Sequence, residues 1–195
     1  MMLGKRIVLG VAGLLLVGFG GGMLVKTGYG ADTLNAFFTG IAARSGLSLG
    51  TINTIFNATM IFFIYFMNRK LVGIGMVLSI FVLKFPIDYA IAVYPASPNI
   101  IVGIASGILS LAVFSFGAAL MIESDLGCTV YDGITLIITE KTRFPFKVVR
   151  FVCDGFALFM GILFQGEIGI GTILSFFLMA PCIDGFRKII RKKQQ

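Results

Sequence analysis

From Ile7 to Val25 the chain runs through nineteen residues without a charge, close to the roughly 20 that an α-helix needs to cross the ~30 Å hydrocarbon layer of a bilayer. Five more apolar stretches of similar length follow, at Gly50–Met67, Leu71–Tyr94, Asn99–Ile122, Phe146–Phe164 and Ile168–Phe186. In lipid every backbone N–H and C=O must find its partner inside the segment, so such stretches predict helices. The expected fold class is therefore all-α integral membrane with six transmembrane helices. Six spans consume about 120 positions, which leaves short loops but no room for a separate soluble domain in 195 residues. Charged residues make up 13% of the chain, about half the share of a soluble domain. Lys5 and Arg6 resemble the n-region of a signal peptide, but no A-x-A site follows, and the first stretch is read as part of the fold.

Two further segments, Ala31–Arg44 and Cys128–Lys141, are helix-compatible but, at 14 residues each, too short to span. They are expected as re-entrant or interfacial helices. Basic residues orient the set. With the N terminus inside, twelve Lys and Arg fall on the cytoplasmic side, among them the tail residues Arg187, Lys188, Arg191, Lys192 and Lys193, against Lys26 and Arg44 outside. Both termini are expected in the cytoplasm of a bacterial inner-membrane protein. The +7 net charge thus reads as an orientation signal, and nucleic acid is not an expected partner. Cys128, Cys153 and Cys182 are odd in number and lack CxxC spacing, so no disulfide framework is expected.

The chain also repeats itself. Shifted by 96, Val72–Asp88 matches Ile168–Asp184 at eight of 17 positions: Gly73, Ile74, Gly75, Leu78, Ser79, Phe81, Ile87 and Asp88. Shifted by 97, Phe19 and Gly20 meet Phe116 and Gly117, Gly30 meets Gly127, Asn35 meets Asp132, and Asn57 meets Asp154. The expected units are a first repeat at 1–98 and a second at 99–195, each with three spans and one short helix. An odd span number forces the second repeat to enter the membrane from the opposite side. Inverted repeats place a solute site near the bilayer midplane, at the interface between the halves.

Ionisable groups inside a span cost about 2.5–3.5 kcal/mol each and so belong against protein or water. Lys84 and Asp88 stand four apart in the third span, as do Arg150 and Asp154 in the fifth, the spacing at which two side chains share a helix face. With Asp132 and Asn57 they are the candidate substrate-binding or polar-path residues. Each charged pair has two readings: a structural pair that neutralises itself, or a lining that exchanges its internal partner for a charged solute. Asp88 and Asp184 could equally cap loops near the membrane surfaces, and Asn53 and Asn57 could bond helix to helix. Glycines such as Gly18, Gly22, Gly103 and Gly107 suit close helix packing, while Gly30 and Gly127 suit turns into the short helices.

The turn Gly30-Ala-Asp-Thr-Leu34, the entry Gly46-Leu-Ser-Leu-Gly50, the run Gly169-Ile-Gly-Thr172 and Asp184 resemble the bacterial YczE/YyaS/YitT-type multi-pass membrane proteins over nearly the whole chain. The resemblance implies the membrane fold and little about substrate. A small-solute transporter or permease-like role leads, with an unknown solute and the lipid bilayer as partners and a homodimer as a way for six spans to enclose a path. A non-transporting scaffold or regulator is the alternative. No enzyme activity and no cofactor are expected: the absence of His removes the Ser-His-Asp and Cys-His arrangements. An intramembrane aspartyl protease, suggested by Tyr131-Asp132, lacks its Gly-x-Gly-Asp partner, because Gly169-Ile-Gly171 is followed by Thr172.

Overall fold

The structure, a computed structural model, describes residues 3–69, 72–124, 126 and 129–194. Lys70, Leu71, Gly127 and Cys128 lie outside the described residues, as do the side chains of Lys147 and Lys193. The described secondary structure is helical: α1 Leu3–Lys26, α2 Thr33–Ser45, α3 Leu49–Met67, α4 Ile74–Val82, α5 Lys84–Val93, α6 Ile100–Glu123, α7 Val130–Thr142, α8 Phe146–Leu163 and α9 Ile170–Gln194. Among the described residues four helices are long and apolar enough to cross a membrane: α1, α3, α4 with α5, and α6. The surface is that of a membrane protein. Phe62, Phe66, Phe81, Ile101, Phe156 and Phe177 are each at least 60% exposed, an extent of apolar surface that a monomer in water does not carry.

The third apolar stretch is broken where a single span was expected. Helix α4 ends at Val82 and α5 begins at Lys84. Pro86 is the cause: it has no N–H for the carbonyl of Val82, and its ring crowds that carbonyl. The two pieces remain nearly continuous, since Leu83 keeps right-handed helical angles and donates to Ser79 O at 3.2 Å.

Helix α1 lies between α5 and α6, and its glycines explain how. Gly18 and Gly22 face α5, where an added Cβ would stand 3.1 Å from Leu83 O and 2.6 Å from Ile87 O respectively. Gly13 and Gly20 face α6. A Cβ on Gly13 would stand 2.7 Å from Gly117 O, and one on Gly117 would stand 2.7 Å from Gly13 O. A Cβ on Gly20 would stand 2.9 Å from Ser110 O. The shift of 97 carries Gly13 onto Ser110 and Gly20 onto Gly117, so the two ends of this seam are counterparts. Other contacts follow the same exchange: α2 packs on α8 and α7 on α3, while α1 packs on α5 and α6 on α9.

The turn after α1 is held by the loop before α9. Ala31 N donates to Glu167 O at 3.0 Å, and Gly171 N donates to Tyr29 O at 2.8 Å. Gly30 sits at φ 110, where a Cβ would also stand 2.6 Å from Thr172 Oγ1, so only glycine fits both the angle and the space.

Candidate functional site

Two short helices aim their first turns at one place. At the start of α2, Asp32 is the N-cap; its Oδ1 accepts from Asn35 N at 3.2 Å, and its Oδ2 accepts from Asn35 Nδ2 at 2.5 Å. At the start of α7 the N-cap is Thr129, whose Oγ1 accepts from Asp132 N at 3.3 Å and donates to Asp132 Oδ2 at 2.8 Å. Each first turn therefore has one amide, that of Asn35 or Asp132, satisfied by its own cap.

Two longer helices bring residues spaced four apart to the same place. On α3, Asn57 Nδ2 donates to Asn53 Oδ1 at 2.5 Å. On α8, Arg150 Nε donates to Asp154 Oδ2 at 3.2 Å, and its Nη1 bonds Asp132 of α7. Tyr131 Oη donates to Asp154 Oδ1 at 2.9 Å, and Thr33 Oγ1 donates to the same oxygen at 3.3 Å. The Arg150 guanidinium lies 4.4 Å from the centre of the Tyr131 ring, a cation–π distance. Arg150 and Asp154 are only 16% exposed at the side chain. The outer face of α8 has the opposite character, with Phe151, Val152, Phe156 and Phe159 exposed. This helix is polar inward and apolar outward, the reverse of a helix on a soluble protein.

These residues line a cavity of about 80 Å³, together with Gly18, Leu83 and Phe114. That is room for several waters or a few heavy atoms, since one water needs about 10–15 Å³ on the same measure. A larger cavity of about 390 Å³ adjoins it, lined by Leu136, Ala180, Asp184 and Arg187. Asp132, Arg150, Asp154, Met179 and Ile183 line both. The ion-paired cluster thus lies where the two cavities meet. The larger one extends toward the basic end of α9, where Arg187 and Arg191 bond Glu123 at 3.0 and 2.9 Å.

Of the residues expected from sequence, Asn57, Asp132, Arg150 and Asp154 meet at this cavity. Lys84 and Asp88 lie elsewhere and do not pair with each other. Lys84 Nζ donates to Thr51 Oγ1 at 2.5 Å, and Asp88 accepts from Gly50 N at 2.9 Å and from Ser48 Oγ at 2.8 Å. The open amides at the start of α3 are the stronger claim on a carboxylate. Replacing Asp88 by Ala should therefore cost about 1 kcal/mol, read as a lowered Tm with the cavity intact. Asp184 stands 3.8 Å from Arg187, at the larger cavity. Asp32, Thr33, Asn35, Asn53 and Tyr131 complete the site and are not among the six candidate residues. The repeat holds the missing signal: the shift of 97 that joins Asn57 to Asp154 also joins Asn53 to Arg150.

The sequence matches the family described as "Family of unknown function (DUF6198)" over residues 4–188. The chain belongs to this family. It is 25% identical over 191 residues to a protein of Bacillus subtilis (strain 168) named "Uncharacterized protein YyaS", covering 92% of this chain and 91% of that one. It is 27% identical over 168 residues to "Uncharacterized membrane protein YczE" of the same organism, covering 86% and 78%. A Haemophilus influenzae protein is 22% identical over 188 residues, covering 96% and 86%. The family resemblance read from the sequence thus stands, and the name of one relative carries the word membrane. No solved structure matches the chain.

Proposed function

We propose that this protein is a small-solute transporter of the bacterial inner membrane, with its site in the inner cavity between two inverted halves. The observation that carries this reading is the shared lining: the inner cavity adjoins a larger one, and a cluster of three charged side chains faces both. A cluster of ion pairs can part and re-form, which the alternating access of a transporter requires. Six spans follow if α8 and α9 cross beside the four more apolar helices. Helix α8 has 18 residues and α9 has 25, enough for a crossing.

Support for the inverted arrangement comes from the counterpart contacts: Gly13 on Gly117 against Gly20 on Ser110, and α2 on α8 against α7 on α3. The cavity lining has the same relation, with Asn35, Asn53 and Asn57 opposite Asp132, Arg150 and Asp154. One half supplies the neutral version of the cluster, and the other half supplies the charged version. Proteolysis is the weaker reading, because Arg150 bridges Asp132 and Asp154 where an aspartyl dyad shares one proton.

The topology is tested with single cysteines placed at Ser97, Lys192 and Ala180 after the three native cysteines are replaced. In sealed vesicles a membrane-impermeant thiol reagent should reach 192 and 180 from one side and 97 from the other. If 97 and 192 reacted from the same side, the even span number would be lost, and the inverted halves with it.

A further inference from the structure

Three carboxylates, Asp32, Asp132 and Asp154, line the inner cavity against one guanidinium, Arg150. Their formal sum is two negative charges in a space inside the protein. An anion entering would meet that imbalance, whereas a cation would offset it.

A second observation points the same way. Asn35 is 6% exposed and lines the cavity, and its Oδ1 is buried without a hydrogen-bond partner. Which end of the amide is which follows from its neighbour, since only the NH₂ group can donate to the Asp32 carboxylate 2.5 Å away. The atom left over is therefore an acceptor. A buried acceptor without a donor is costly, and a solute carrying N–H groups would satisfy it. Gly21 keeps room for this side chain, because a Cβ there would stand 3.0 Å from Asn35 Nδ2. The site already shows how it holds such a group: the guanidinium of Arg150 is bound by two carboxylates over the Tyr131 ring.

Resting on the transport reading for its biological use, we propose that the inner cavity binds a small organic cation of the guanidinium or short alkylammonium class, with Asn35 Oδ1 as acceptor and the surplus carboxylate charge as counter-ion. The volume of about 80 Å³, room for about five to eight waters at 10–15 Å³ each, limits the solute to a few heavy atoms. Urea has nearly the size and shape of guanidinium without its charge and would lose the electrostatic half of the recognition.

The test is thermal unfolding of the purified full chain in detergent with millimolar guanidinium chloride or methylammonium chloride, against sodium chloride, sodium acetate and urea at matched concentration and ionic strength. At 100 times its dissociation constant a cation should raise the midpoint by about 5 °C, and the three controls should not. Asn35→Leu should weaken the cation about ten- to a hundred-fold. Because that variant can fail to fold, a second measurement keeps Asn35 and uses protein without its three native cysteines and with one cysteine at Thr33: guanidinium should slow its labelling and urea should not. Equal shifts with sodium or urea, a shift with acetate alone, no shift with any probe, or undiminished binding in a folded Asn35→Leu protein would each overturn the proposal. If the cation binds but position 33 is reached from only one side of the membrane, the cation site stands and transport falls. If position 33 alternates between sides and no cation binds, transport stands and the cation site falls.

Discussion

Replacing Arg150 by Asn should lower stability by about 3–5 kcal/mol, because it leaves Asp132 and Asp154 buried without their shared cation. Removing Asp154 together with Arg150 should not recover this loss, since Asp132 would still lack its partner. The recovery should come from the triple variant Asp132→Asn, Arg150→Asn, Asp154→Asn. That variant gives the second half the neutral set that Asn35, Asn53 and Asn57 form in the first. Thermal unfolding of the single, double and triple variants reads the order directly. A structural pair predicts recovery of stability alone; a solute site predicts recovery of stability with loss of solute binding. Asn57→Ala should cost less than Arg150→Asn, about 0.5–1.5 kcal/mol, because it removes one uncharged hydrogen bond to Asn53 on the same helix.

The glycine seam should be the next most sensitive region. Gly117→Leu places a side chain where even a Cβ would stand 2.7 Å from Gly13 O and 2.8 Å from Val17 N. Backbone cannot yield as a flexible side chain can, so α1 and α6 must separate. The expected cost is about 1–3 kcal/mol or more, read as a fall in Tm or in the yield of folded protein. Gly155→Leu is the control, since nothing lies within 4 Å of a Cβ at that position, and it should be nearly neutral. If the two substitutions behaved alike, close packing of α1 on α6 would not hold the halves together.

The helices were legible because a bilayer fixes their length: the predicted stretches recur as helices, the third as the pair α4 and α5 and the last extended to Gln194, and the two 14-residue segments recur as α2 and α7. The break at Leu83 was open to reading, since Pro86 stands in the sequence and the missing bond follows from its chemistry. Asp88 was harder. A spacing of four shows that Lys84 and Asp88 share a face, but not that the start of α3, some 40 residues earlier, offers Asp88 a better partner. The bond from Arg150 to Asp132 joins two helices 18 residues apart and leaves no local pattern. Asn57, Asp132, Arg150 and Asp154 meet at the cavity and fall on the shift of 97, whereas Asp88 falls on the shift of 96 and lies at the start of α3.

The account stands on the inner cavity being reached in turn from both sides of the membrane. Thr33, which lines it, reports this when changed to Cys in a background without the native cysteines and probed with an impermeant thiol reagent in vesicles of each orientation. Position 33 should react from both sides, each at a partial rate, and a bound solute should shift the balance between them. Reaction from one side only, unchanged by Arg150→Asn and by every solute tried, would mean a fixed cluster and a protein that scaffolds rather than transports.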